Sequence, residues 1–425
     1  DEIQETAGVD LTPWRDEVAQ ANPDAFAEAV LYQPSFLQGI GTLLTEERLD
    51  DWRAWVRWRL VHAAAPYLSS AFVSENFSFY GTALTGVPQL RERWKRGVAF
   101  AESAMGEAIG RDYVKLYFPP EAKAKMDALV ANVKAAMGAR LEKLDWMSPE
   151  TKREAFAKLQ NFGLKIGYPD KWRDWTGLST SRDSYLGNVL AAMEFNYKWN
   201  LGKIGKPVDR TEWGMPPQMV NAYYNPLQNE IVFPAAILQP PFFDPNATDE
   251  MNYGGIGAVI GHEMTHGYDD QGSRFGPTGK FENWWSDADS KGFKALTGKL
   301  VAQFDGYRTA DGQKINGNHT LGENIADLGG LATAYDAMKK ATAGTPDPMT
   351  DGLTRDQRFF RNWATVWRRN FTPEELTVRL KTDPHAPARF RALVPLSDQP
   401  QFATAFGCKA GDAMHRGEAG RVGIW

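Results

Sequence analysis

Cysteine is all but missing from this 425-residue chain: Cys408 stands alone, so no intramolecular disulfide can form. A disulfide-stapled scaffold is thereby excluded. The Asn-x-Ser/Thr triplets at Asn76, Asn246, Asn318 and Asn370 then read as chance occurrences rather than glycosylation acceptors. No stretch approaches the roughly 18 consecutive apolar residues of a membrane helix, so no membrane span is expected. Positive charge is not in excess either: 48 Lys and Arg face 53 Asp and Glu, a net charge of -5, which offers no footing for nucleic acid. The chain opens on Asp1 without a signal peptide, which reads as a trimmed N-terminus or a piece of a longer protein, soluble, either intracellular or secreted by a route that needs no oxidation. Histidine is scarce, with six in all, so two at ligand spacing stand out.

What is present points to two lobes, since a chain of this length exceeds one ordinary core. The first half reads helical. Thr45 caps a predicted helix over 46–65 with Trp52, Val56 and Leu60 on one face, and Arg53, Arg57 and Arg59 as a solvated face rather than a nucleic-acid platform. A second helix is predicted after Pro119-Pro120, burying Met126, Leu129, Val130, Val133 and Met137, and a third after the Ser148 cap with Pro149 at its first turn. Gly167-Tyr168-Pro169 and 171–181 read as a loop and lobe boundary. Beyond it, 220–224 and 230–234 form a hairpin signal about Asn225-Pro226, with Pro234 suited to a sheet edge. Helices follow over 252–268, 287–305, 322–341, 354–370 and 372–382. Few strands among many helices give an α+β, mainly helical fold: an all-α lobe over 1–185 and a catalytic α+β lobe over 186–425.

The chemistry sits in His262-Glu263-Met264-Thr265-His266. On a helix, positions four apart differ by about 40° in azimuth, so His262 and His266 project from one face and can close on one zinc ion. Glu263 lies one step round, beside the metal, where it can take a proton from a zinc-bound water. Two histidines need a third protein ligand that leaves a position open to water. Gly322-Glu323 through Gly330 supplies it: Glu323 as ligand, and Asp327, four residues on, as partner to a ligating imidazole N–H. Asp269, one turn after His266, is a further candidate for that second role. Among the remaining histidines only His385 has an unusual setting, Asp383-Pro384-His385-Ala386-Pro387, which makes it a candidate oxyanion donor.

Taken together these segments resemble the neprilysin family of zinc endopeptidases, peptidase family M13. The resemblance runs in order through Asn221-Ala222-Tyr223, 231–243, Gly254-Gly255 to Asp270, Gly322 to Gly330, Asp383-Pro384-His385 to Phe390-Arg391, and the closing Arg421 to Trp425. Weaker echoes at Phe79-Tyr80-Gly81, Leu144 to Met147 and Gly167-Tyr168-Pro169 extend it through the first half. It implies a thermolysin-like zincin catalytic lobe facing a helical lobe, and an endopeptidase of oligopeptides with one zinc per chain. Asn221 and Ala222 would bind substrate backbone, His385 would stabilise the oxyanion, and Arg391 would bind a substrate carbonyl or carboxylate. The family's apolar pocket maps to Ile237, Phe242, Ala258, Val259, Val366 and Trp367, implying cleavage on the amino side of hydrophobic residues. With one cysteine and no anchor the chain resembles bacterial members. The family's longer N-terminal portion would be its partner segment.

Overall fold

The computed structural model of the chain describes residues 2–18 and 31–425. Its elements are overwhelmingly helical, with one three-stranded sheet among the described residues. No described helix is long and apolar enough to cross a membrane.

The contacts divide the chain into two compact units, 1–105 with 174–210 and 106–173 with 211–425. This differs from a single cut at residue 185. The physical reason is β1 (Gly163–Gly167), which pairs in parallel with β3 (Glu230–Pro234), so 163–167 folds with the later half of the chain. β2 (Tyr223–Asn225) pairs antiparallel to β3, with Tyr223 opposite Val232. The strand order β1-β3-β2 makes β3 central and β2 the edge, so Pro234 closes a central strand rather than an edge. It is tolerated there as the strand's last residue. No strand is expected there from sequence, because five residues that begin and end on glycine carry almost no local strand signal.

In the first unit, Leu49–Ala64 is helical. Its expected apolar face is not buried: Val56 and Leu60 are exposed and Trp52 half-buried among the described residues. The helical stretch Arg93–Tyr117, broken by non-helical backbone at Met105 and belonging to this unit only up to that residue, and Tyr185–Leu201 were not foreseen.

In the second unit the helix Pro120–Lys143 buries Met126, Leu129, Val130, Val133 and Met137, as its spacing predicts. Ser148 caps Pro149–Gln160 by accepting from the Thr151 N–H. One product of that second helix was not anticipated. Lys158 is fully buried, at 0% exposure, with its ammonium donating to the carbonyls of Gly272 and Phe275 at 2.7 Å each. Burial pushes its pKa down to about 7, and the Asp269 carboxylate opposes that shift. An unfolded lysine titrates near ~10.4. Between those values the unfolded chain holds a proton that the folded one has released, so stability rises as pH rises through the window. The expected slope from this group is at most about 1.4 kcal/mol per pH unit, and Lys158→Met should remove it. Denaturant unfolding of both proteins across pH 7 to ~10 checks this.

Candidate metal centre and active site

The two histidines lie on a helix, Ala258–His266, that is buried almost all round. Ile256, Ile260 and Met264 point into the core, leaving His262, Glu263 and His266 for the cavity side. The helix does not run evenly back to Asn252 as expected: Asp249–Asn252 leads into a wide π turn over Tyr253–Gly257 before regular helix resumes. Such turns recur at functional sites.

The acidic pair lies on a second helix, Leu321–Ala341, packed against the first at near-backbone contact. Glycine makes this possible. A Cβ on Gly330 would stand 2.4 Å from the His262 backbone nitrogen, and one on Gly261 would stand 2.6 Å from the Gly330 carbonyl oxygen. The close approach brings Glu323 into one cluster with His262 and His266, which lie 61 and 57 positions before it in sequence. His262 Nε2 lies 3.3 Å from Glu323 Oε2, and His266 Nε2 lies 3.7 Å from Glu323 Oε1. One ligand atom from each of His262, His266 and Glu323 falls within 4.8 Å of the others.

The outer nitrogens are also engaged. His266 Nδ1 hydrogen-bonds Asp269 Oδ2 at 2.6 Å, and His262 Nδ1 lies 2.9 Å from Asp327 Oδ1, within ion-pair distance though out of hydrogen-bond alignment. With each Nδ1 carrying the proton toward a carboxylate, the two Nε2 lone pairs confront each other at 3.0 Å. Only a shared proton or a cation relieves that contact. Two imidazoles and a carboxylate, each with a free donor atom turned to one point and an acid behind each ring, fit a zinc ion.

The electrostatics agree. Burial disfavours the His262 imidazolium, yet Asp327 and Glu323 outweigh it and lift the pKa to about 10. His266 moves the same way: burial and His262 press it down, but Asp269 and Glu323 prevail. Burial would raise Glu323, and His262 and His385 hold it far below the usual carboxylate range. This pocket therefore favours positive charge at its centre. Glu263 departs from the pattern, its pKa raised chiefly by burial. It is a buried carboxyl with less compensation than its neighbours.

Arg391 provides that compensation for the others. From the helix Ala388–Asp398 it donates through Nε to Asp327 Oδ2 at 2.7 Å and through Nη2 to Asp327 Oδ1 at 2.8 Å, and it reaches Glu323 at 3.4 Å. Its guanidinium lies 4.0 Å over the Trp367 ring. Arg391 lines the cavity, as expected of a substrate contact, and two of its donor nitrogens are committed to Asp327 and Glu323.

The cavity encloses about 570 Å³. It is lined by all three prospective ligands, Glu263, Asp269, Asp327, Asn221, Ala222 and His385. Of the expected apolar positions, Ile237, Phe242, Val259 and Trp367 line it; Val366 and Ala258 do not. Ala258 turns into the core at 0% exposure. Val366 is the last residue of its helix and half-buried elsewhere. His385, 42% exposed in its side chain, stands at the rim with Nε2 3.1 Å from Glu323 Oε2 and Nδ1 2.7 Å from Asp383 Oδ1. Asn221 and Ala222 lead directly into β2, whose outer edge has no partner strand among the described residues.

Sequence reasoning gave no role to Asp383, whose carboxylate orients His385 and is itself bonded by Arg379 at 2.5 Å. Its position two residues before a suspected catalytic histidine was the available signal. Trp363, buried at the cavity wall with its indole donating to the Ala392 carbonyl, gave none.

Two family models described as Peptidase family M13 match this chain, over residues 1–169 and 221–422. Endothelin-converting enzyme 1 of Mus musculus is 37% identical over 404 residues, covering 91% of this chain and 51% of the relative. Neutral endopeptidase of Lactobacillus helveticus is 35% identical over 406 residues, covering 95% of this chain and 61% of the relative. Among solved structures, the Mycobacterium tuberculosis zinc metalloprotease Zmp1 in complex with inhibitor superposes with a TM-score of 0.95 at 45% identity, covering 100% of this chain and 65% of that one. PepO from Lactobacillus superposes with a TM-score of 0.85 at 34% identity, covering 92% and 60%. The chain thus spans about half to three fifths of the length of the curated relatives it matches.

Proposed function

The chain belongs to peptidase family M13, and from that premise we propose that it hydrolyses oligopeptides as a zinc-dependent endopeptidase. One observation carries the reading. Three metal-ligating atoms converge within 4.8 Å, with a buried carboxyl at the next helix position, in a cavity walled in part by the approach to a free sheet edge.

His262, His266 and Glu323 would hold the metal, one ion per chain. Zinc in such a set supplies Lewis acidity, polarising a carbonyl and lowering the pKa of water toward about 7. Glu263 accepts the proton of the attacking water and delivers it to the leaving amine. His385, oriented by Asp383, donates to the oxyanion that develops on the scissile carbonyl. Asp327 and Asp269 fix the ring orientation of the two histidines. The substrate backbone lies along Asn221 and Ala222, where a sheet edge offers free N–H and C=O groups. Ile237, Phe242, Val259 and Trp367 form an apolar wall, which favours a hydrophobic residue just after the scissile bond. Arg391 first neutralises Asp327 and Glu323, and the donor capacity that remains serves a substrate carbonyl or carboxylate.

Metal content measured beside cleavage of a quenched-fluorescent peptide, with a hydrophobic residue after the scissile bond, tests the reading. One zinc per chain and chelator-sensitive cleavage on the amino side of that residue are expected. Zinc without cleavage, in this chain and in a version carrying the further length of its relatives, would replace the peptidase with a peptide-binding protein. Absence of bound metal would overturn the proposal. A narrower result concerns Asp327→Asn, which keeps the shape and removes the charge. Zinc affinity is expected to fall roughly 10–100-fold, measured by chelator competition.

A further inference from the structure

Lys158 belongs to no step of the proposed chemistry, yet it is one of the largest fully buried side chains in the molecule. Its two hydrogen-bond acceptors are not scattered. Gly272 and Phe275 bracket the short 3-10 turn Gly272–Arg274 that follows the histidine helix. The same turn is held from its other side by Asp269, whose Oδ1 accepts from the Gln271 N–H at 2.8 Å and the Gly272 N–H at 2.6 Å. The remaining oxygen of Asp269 meets His266 Nδ1 at 2.6 Å.

Gly272 is therefore gripped at both ends, its N–H by Asp269 and its C=O by Lys158. The turn has no slack against the helix end: a Cβ on Gly272 would lie 1.7 Å from the His266 carbonyl oxygen. The Lys158 ammonium is itself caged, with the rings of Tyr224, Tyr268 and Trp284 each 5.8 Å from Nζ. Trp284 also donates to the Phe275 carbonyl at 3.1 Å, so that acceptor is shared by two donors from different elements.

We propose that Lys158 is a positioning residue for the metal centre: it clamps the 269–275 turn so that Asp269 holds His266 in one ring orientation. The proposal rests on reading His266 as a ligand. The route is Lys158 to the Gly272 and Phe275 carbonyls, through the Gly272 peptide to Asp269, and from Asp269 to His266. A lysine nitrogen suits the task, because it presents at least two N–H donors from one point and can bond both carbonyls at once. A methionine of similar length has no donor and cannot. The field of the Asp269 carboxylate at Lys158 is a second sign that the two groups sit in one electrostatic unit.

A merely structural lysine would also lower stability when lost, so the test reads the metal. Zinc affinity is measured by chelator competition, at a temperature where each protein is folded, for the parent, Lys158→Met, Asp269→Asn and the double variant. Cobalt-substituted protein gives the visible ligand-field spectrum of each. Each single substitution should weaken zinc by about tenfold. The double variant should be no weaker than the weaker single, since both act along one route. The cobalt spectra of the two single variants should shift in the same sense. Unchanged zinc affinity and spectrum in Lys158→Met, with only a lowered melting temperature, would overturn the proposal, as would losses that add in the double variant. If Lys158→Met does not fold, Lys158→Gln, which keeps a donor on a shorter stem, should show the same pattern with a smaller loss, and unchanged affinity there would equally overturn it. Parent protein that binds no zinc would sink the metal centre itself; zinc-bearing parent with an indifferent variant sinks the clamp alone.

Discussion

Replacing Glu263 by Gln is expected to leave zinc bound and to lower kcat by about 10²–10⁴-fold. The side chain lies beside the three converging ligand atoms and is not among them, so the metal keeps its full protein set. Glutamine preserves the shape of a 5% exposed residue, so neither a cavity nor a backbone shift follows. What is lost is the ability to accept a proton. The neighbouring cations and the Glu323 carboxylate act on Glu263 in opposite directions, and burial decides the balance in favour of a carboxyl that takes protons readily. Metal analysis and steady-state kinetics on the same preparation check both halves of the expectation. Near-parent turnover in a zinc-loaded variant would remove Glu263 as the base.

Arg391→Met should be the most damaging single change to stability around the site, at about 3–5 kcal/mol. Arg391 is 8% exposed and spends two donor nitrogens on Asp327, which is itself 1% exposed. Arg391 is what holds the Asp327 carboxyl below its ordinary range despite burial. Without it, Asp327 and Glu323 remain as buried acids with one cation fewer. The loss from leaving a buried charge unpaired exceeds the value of the pair, so Asp327→Asn combined with Arg391→Met should cost less than Arg391→Met alone. Arg391→Lys should recover only part, because an ammonium cannot match the fork of the carboxylate or lie flat over Trp367. Denaturant midpoints, with the slope checked for a change in cooperativity between the two units, measure these differences. A double variant as unstable as the sum of its parts would show that the pair is not coupled in this way.

The residues proposed to do the chemistry were legible because their spacing is local. His262 with His266, and Glu323 with Asp327, are each four apart on a helix, and helical geometry alone puts each pair on one face. The apolar face of Pro120–Lys143, the Ser148 cap of Pro149–Gln160 and the span of Asp287–Asp305 were legible for the same reason. Legibility ended wherever a partner came from far along the chain. That the two acidic and histidine helices touch depends on Gly261 meeting Gly330, a contact with no signature in either segment alone. β1 exists because residue 230 lies beside residue 163, not because 163–167 prefers extended backbone. Arg391, expected to meet substrate and present in the cavity lining, also pairs with two buried acids that no local signal announces, since an unpaired carboxylate in a low-dielectric interior is costly.

The sequence by itself determined which residues are proposed as ligands and base, from residue types at helical spacing, and pointed to the family through the resemblance of its motifs. Tertiary structure alone decided which apolar residues wall the cavity, which acid each histidine leans on, and that a lysine more than a hundred positions upstream braces the turn behind His266. The physical reason is one of range. Helical periodicity is set by bonds between neighbours, whereas burial and charge pairing are settled only when distant segments compete for the same interior.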